Sequence, residues 1–439
     1  MTPAATYRRV LALSGPLLPV VSFLGRLPTA MCQLGTVLLV AATSGSLTTA
    51  GLVGGALAAG QTVAGPLTGR LADRHGQRPV VLVACWVNAL AVAALVAAAL
   101  ARTAAPPLAL IGLLAGASVP QIGPLARTRL VALAHRAAAE DRVVSAALSL
   151  EGTLDEVSFV LGPALVGLAA TVAHPAVALA LAAVLPAVCG TAFALHPTAA
   201  ATRPAAPPSA RGTRPPRPAR TRLPRAVHAM RLSTALQGAM FGACQAGITA
   251  LTERLHQPAQ AGLVYAAMGV MSAAAGLSLA LLPARIGLPA RWRAAAAALI
   301  VLSVPLLSVR SLGALYLVVV VLGVAFAPHL ITLFGLTERL VPATRLAESM
   351  AFLTSAVVGG QAVALALSGR LADAHGPAAA FAVAVGAAVL VLAVALTTRA
   401  GSLSPTAPKE ATGARTGGLR PAAGAPAGSA RSASAGRRP

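Results

Sequence analysis

Runs of about twenty apolar residues recur along this chain, and no other feature constrains its fold as strongly. A backbone crossing hydrocarbon must satisfy its own polar groups, so each run reads as a spanning helix. Twelve can be drawn. The first six lie near 16–41, 47–69, 79–101, 107–126, 143–170 and 175–195. The second six lie near 231–252, 259–282, 294–310, 312–334, 349–369 and 378–398. Ala, Leu, Val and Gly dominate them, without the alternation of strands. Only 10% of residues are charged, against about 25% in soluble domains. The expected fold is therefore all-α and integral to a membrane.

A net charge of +23 suits nucleic acid by magnitude but not by placement. Of the 34 Lys and Arg residues, Arg26 lies within the first span, and only Arg102, Arg254, Arg310 and Arg370 fall in loops on the side away from the N-terminus. The rest gather on the side of the N-terminus, which the positive-inside rule makes cytoplasmic. That asymmetry needs an even span count and puts both termini in the cytoplasm. The basic residues are Arg except for Lys409, which with abundant Ala and Pro points to a GC-rich bacterial genome and an inner membrane. Cys32, Cys85, Cys189 and Cys244 all lie in spans, so no disulfide framework is indicated. Arg8 and Arg9 precede an apolar run like a signal peptide, but the run is long and reads as an uncleaved first helix.

Residues 197–228 alternate Pro and Arg and read as an extended linker. They set the domain boundaries: a six-helix half over 1–196, a basic linker over 197–230, a second half over 231–398, and a disordered cytoplasmic tail over 399–439. Gly51-Leu52-Val53 recurs as Gly262-Leu263-Val264, and at the same offset Gly65, Arg74 and Gly76 fall on Gly276, Arg285 and Gly287. Pro120-Gln121 matches Pro328-His329, and Glu140 matches Glu348. Repeated helical halves are a common transporter design, with the substrate near the midplane between them.

The polar stretch from Gly69 to Arg78 reads as a short loop at one membrane face. Its Asp amid Arg residues suggests a clasp that binds a helix N-terminus or an Arg in one state and releases it in another. Here the chain resembles the major facilitator superfamily, whose loop between helices two and three reads roughly Gly-x-Leu-x-Asp-Arg-x-Gly-Arg-Arg/Lys. Gly69, Leu71, Asp73, Arg74, Gly76 and Arg78 match, while Gln77 departs. The resemblance implies twelve helices in two six-helix pseudo-repeat halves, and that Asp73 with the Arg residues clasps the halves in the outward-open state. The corresponding loop near Pro283 to Arg293 has Ala284 for the Asp, so the clasp is expected on one side only.

Glu151, Asp155 and Glu156 place three carboxylates in the fifth span, where charge is costly and marks function. Glu151 and Asp155 share a helical face, and Glu156 points about 100° from Asp155. Carboxylates crowded into low dielectric suit proton uptake and release. Arg26 lies roughly 15 Å into the first span, at a depth comparable to these acids, and is the expected counter-charge. Phe159 to Gly167 resembles the helix-five motif of drug/proton antiporters: Gly162, Pro163 and Gly167 match, while Ser149, Ser158 and Val166 stand where glycines are usual. By the family's geometry helices 1, 4, 7 and 10 face the cavity, which makes Gln33, Gln121, Gln245 and His329 candidate substrate contacts.

No P-loop, zinc-ligand spacing, nucleophile elbow or dinucleotide fingerprint occurs, so no metal or cofactor and no enzyme activity are expected. The reading is a monomeric secondary transporter exporting a small amphipathic molecule in exchange for protons, its partners being that substrate, protons and the bilayer, with no nucleic acid. A metabolite importer or facilitator on the same fold is the near alternative, and a membrane sensor or scaffold the alternative of another class.

Overall fold

A computed structural model describes residues 3–202, 223–258, 260–279 and 286–399. Among them all regular structure is helical. The amphipathic α1 (Pro3–Ser14) precedes the first span. The first half contains α2 (Leu17–Ser44), α3 (Leu47–His75), α4 (Gln77–Leu100), α5 (Ala105–Ala117), α6 (Ile122–Arg136), α7 (Asp141–Val172), α8 (Pro175–Leu185) and α9 (Thr191–Leu195). The second half contains α10 (Arg225–Arg254), α11 (Gln260–Ser278), α12 (Leu288–Ser303), α13 (Leu312–Leu340), α14 (Leu346–His375) and α15 (Pro377–Thr397). The pair α5–α6 serves as one span, as does α8–α9, whose members join through a π-helical turn over Pro186–Gly190.

Ten of these spans are long and apolar enough to cross a membrane by themselves. The more polar α3 and α10, of 29 and 30 residues, complete the twelve. Both pack on α14, which lets them carry Gln61, Asp73, Gln237 and Gln245 where a lipid-facing helix could not. Lipid-facing positions are held by residues such as Val63, Val83, Leu90, Val301, Leu317 and Val363, all exposed. The cores lie inside the halves, around Leu39, Val53, Leu95 and Leu179 in the first and Trp292, Phe326, Phe334 and Phe381 in the second. Val131, Val144 and Leu148 of the first half join the second core, so the halves are fused at the end of the molecule where α6 ends and α7 begins.

Three sequence expectations change here. The stretch 69–78 is not a loop: α3 runs to His75, α4 starts at Gln77, and Gly76 at φ +84° makes the turn alone. A 29-residue helix is about 43 Å long, well beyond the ~30 Å hydrocarbon layer, so its polar last turns project past the membrane as helix. The fourth span breaks over Ser118–Gln121 and continues as α6, which takes Arg127 and Arg129 out of the loop expected after residue 126 and buries them. Residues 197–202, expected in the extended linker, form a 3-10 helix against α6, held by Arg129 and Arg136. The Pro/Arg core of the linker, from 203 to 222, and the tail from 400 lie outside the described residues.

Candidate functional site

The charged residues expected to meet in the spans do meet. Arg26 on α2 is 5% exposed. Its Nη1 donates to the Asp155 carboxylate at 2.7 Å and to the Glu151 carbonyl at 3.1 Å, and its Nη2 binds the Glu151 carboxylate and the Ser22 hydroxyl. Its Nε donates to the Ser22 carbonyl one turn back at 3.1 Å, which fixes the guanidinium plane. Glu151 and Asp155 both reach Arg26 because four residues return α7 to nearly the same face.

A second arginine completes the cluster. Arg127 on α6 is fully buried, and its Nη2 pairs with the other Asp155 oxygen. Its guanidinium lies over the Phe334 ring of α13 in the second half, 3.9 Å from the centroid. Two cations and two carboxylates thus balance. Glu156 stands apart as expected: it lies near Ser272 of α11, across the boundary between the halves, and forms no ion pair among the described residues. Ser272 in turn accepts from the Ala327 amide at 3.0 Å.

The cluster borders a hollow between the halves, lined by Arg26, Asp155, Gln61, Gln121, Ser158 and Thr354. The break in the fourth span supplies its wall. Gln121 sits at φ +49° without capping α6, its Oε1 buried and, like the Gln61 Oε1, without a partner among the described residues. A Cβ on Gly123, in the first turn of α6, would stand 2.9 Å from the Asp155 carboxylate, so glycine lets the backbone approach that group.

A contact between the halves forms at the end where α3 projects. The Asp73 carboxylate accepts from the backbone amides of Ala347 at 3.0 Å and Glu348 at 2.8 Å, the first turn of α14 in the other half. A carboxylate there satisfies amides with no intrahelical partner and meets the positive end of the helix dipole. Gly69 allows the contact, since a Cβ would lie 2.5 Å from the Ala347 carbonyl oxygen. Arg74 and Arg78 are exposed and take no part in it among the described residues. The same end carries Arg339–Asp141 at 3.0 Å and His135–Glu338 at 3.3 Å, both between halves.

The family model described as Major Facilitator Superfamily matches residues 18–345. The chain belongs to that superfamily. No curated protein matches the sequence. Among solved structures it is similar to the human organic anion transporter MFSD10 (TETRAN), at 20% identity and a TM-score of 0.63, over 88% of this chain and 99% of that one. A bacterial homologue of the iron transporter ferroportin in its outward-facing state gives 17% identity and a TM-score of 0.67, over 87% and 98%. The superfamily transporter FucP in its outward conformation gives 15% and 0.59, over 88% and 98%. At these identities the likeness is one of fold.

Within this superfamily member the remaining candidates separate. Gln121 lines the hollow. Gln245 on α10 pairs with Gln361 of α14 at 3.4 Å. Gln33 is half-buried on α2 and is not among the residues lining the hollow. His329 does not reach the hollow: it is fully buried in the second half with its Nδ1 2.6 Å from the Gln237 Oε1. Gly162 packs on α2, where a Cβ would stand 2.7 Å from that of Ala30, whereas Gly167 faces open space. Pro163 lies within α7 and leaves the Phe159 carbonyl without its helical donor. Sequence reasoning missed Arg127, because it follows Pro120 and the expected end of its span. It also passed over Gln77, which is buried and accepts from Arg129 Nε at 3.1 Å and Nη2 at 3.0 Å.

Proposed function

We propose that this protein is a proton-coupled secondary transporter that exports a small amphipathic molecule by alternating access. The observation that carries the reading is the balanced cluster of Arg26, Arg127, Glu151 and Asp155 at the edge of the hollow between the halves. Asp155 holds both arginines, so a proton arriving on it removes an anion from each. Breaking a buried pair is worth roughly 3–5 kcal/mol. Inverting a two-state equilibrium from 1:99 to 99:1 takes about 5.5 kcal/mol. One protonation at Asp155 is thus of the right size to bias which face the hollow meets. Glu156, near Ser272 of the other half, would relay or hold a second proton across the boundary. Arg26 and Arg127 are the counter-charges.

In this reading Asp73, Gly69 and Gly76 gate the face bearing the projecting end of α3, with Arg74 and Arg78 supplying positive charge that anchors it. That face is cytoplasmic, the membrane is the cell membrane, both termini are cytoplasmic, and the working unit is a monomer. The two halves rock about the linker between Thr202 and Arg225, and 399–439 is a tail. Gln121 is the substrate contact best supported by its place on the hollow, and Gln33 and Gln245 belong to helices of the same ring. With Gln61, Ser158 and Thr354 also lining it and few aromatics in the chain, the hollow suits a narrower, polar-headed substrate better than a broad set of hydrophobic drugs. Export, rather than import, rests on the resemblance of the stretch with Gly162, Pro163 and Gly167 to the helix-five motif of drug/proton antiporters.

The test is proton flux in proteoliposomes containing a trapped pH dye, challenged with a mixed library of metabolites and drugs, wild type beside Asp155→Asn. Substrate-triggered proton movement lost in the variant supports the reading. Substrate movement without protons in the wild type would leave a facilitator.

A further inference from the structure

The clasp has a second copy at the opposite membrane face. Gly69-Arg70-Leu71-Ala72-Asp73-Arg74-His75-Gly76 recurs as Gly369-Arg370-Leu371-Ala372-Asp373-Ala374-His375-Gly376, differing only where Ala374 stands for Arg74. Gly60-Gln61 recurs as Gly360-Gln361 at the same offset of 300. The copies end the two helices that meet between the halves: α3 ends at His75 and α14 at His375, each followed by a glycine in the left-handed region, φ +84° at Gly76 and +86° at Gly376.

The two helices run antiparallel. Asp73 meets Ala347, a Cβ on Gly65 would meet Ser355, and one on Gly359 would meet Thr62. Continuing that register brings Asp373 level with Leu47, in the first turn of α3. The offset of 300 that relates Asp73 to Asp373 also relates Ala347 and Glu348, whose amides bind Asp73, to Leu47 and Thr48. First-turn amides lack intrahelical acceptors, and the Ser46 side chain caps only that of Thr49, at 3.2 Å. The amides of Leu47 and Thr48 therefore form the same kind of receptor that Asp73 occupies on α14.

In this structure one receptor is filled, and among the described residues the other is not. Gly69 is packed against Ala347, while Cβ positions on Gly51 and Gly369, which the register would oppose, meet nothing within 4 Å. Asp73 is partly buried and Asp373 is exposed. We propose that Asp373 is the counterpart of Asp73: when the halves rock to the opposite state, its carboxylate docks on the Leu47 and Thr48 amides and Gly369 permits the close crossing. The copy keeps the features that this docking uses, the carboxylate and the two glycines.

The proposal rests on the alternating access argued above, but its test needs neither substrate nor protons, so the two can fail separately. Spin labels at Ser44→Cys and Ala374→Cys, in the full chain with Cys189→Ser in lipid nanodiscs, report the distance between the end of α2, just before α3 starts, and the end of α14. Wild type should show mainly the long distance. Asp73→Asn should raise a short-distance population. Adding Asp373→Asn should reduce that population several-fold, consistent with a charge at a helix N-terminus. Gly369→Val, which adds bulk in open space and leaves the present state intact, should also abolish it. A short-distance population that is absent in Asp73→Asn, or unchanged by Asp373→Asn and Gly369→Val, overturns the proposal.

Discussion

Arg127 in the first half stacks on Phe334 in the second, with 3.9 Å between the guanidinium carbon and the ring centroid, while the same guanidinium holds Asp155. The contact ties the charged cluster to the boundary between the halves. Such a stack is worth roughly 0.5–2 kcal/mol. Phe334→Leu keeps the apolar volume and removes the ring. It should shift the population away from the present state by about 2- to 30-fold, read as label-to-label distances across Asp141 and Arg339.

Among the described residues Arg26 is the only cation bound to the Glu151 carboxylate, whereas Asp155 keeps Arg127 if Arg26 is lost. Arg26→Ala should therefore destabilise the protein by roughly 3–5 kcal/mol through Glu151, seen as lost membrane abundance and a lower melting temperature in detergent. Adding Glu151→Gln should restore much of that stability, and Asp155→Asn should restore little. Equal rescue by both would show that Glu151 is not the stranded charge.

Three family glycines should behave unlike one another. Gly69→Ala and Gly162→Ala drive a Cβ to 2.5 Å from the Ala347 carbonyl oxygen and 2.7 Å from the Ala30 Cβ. Each should cost roughly 1–3 kcal/mol, the first by parting the halves and the second inside one of them. Gly167→Ala meets nothing and should gain about 0.5–1 kcal/mol of helix stability. Thermal melts of the three variants, with crosslinking across the α3–α14 contact, separate these outcomes.

Gln77 departs from the family pattern because it supports Arg129, whose Nη1 also donates to the Phe193 carbonyl at 2.8 Å and which lies over the Phe193 ring. Restoring the family's residue with Gln77→Arg would set a second cation into a site 2% exposed. It should destabilise the protein, on the order of 3 kcal/mol, whereas Gln77→Glu should be tolerated. Denaturant or thermal midpoints check both.

Arg26, Glu151 and Asp155 were legible as partners because charges are rare in apolar spans and helical spacing sets their face and depth. Arg127 was not legible. Nothing local separates an arginine just past a span from one carried inward by a helix that breaks at Pro120 and restarts at Ile122. The second clasp, Gly369 to Gly376, stands outside the register that relates the two halves. A repeat offset of about 211 compares halves by translation, whereas α3 and α14 correspond as antiparallel partners at an offset of 300.

The chain alone determined that this protein crosses a membrane as twelve helices in two halves, because apolar length and charge placement are local properties that lipid enforces directly. The tertiary structure decided which charges neutralise one another, that Asp73 caps α14, that His329 is locked onto Gln237 away from the hollow, and that the Arg74 and Arg78 side chains stay outside the clasp. Those outcomes depend on helix rotation and crossing, where a shift of one residue turns a side chain by about 100°.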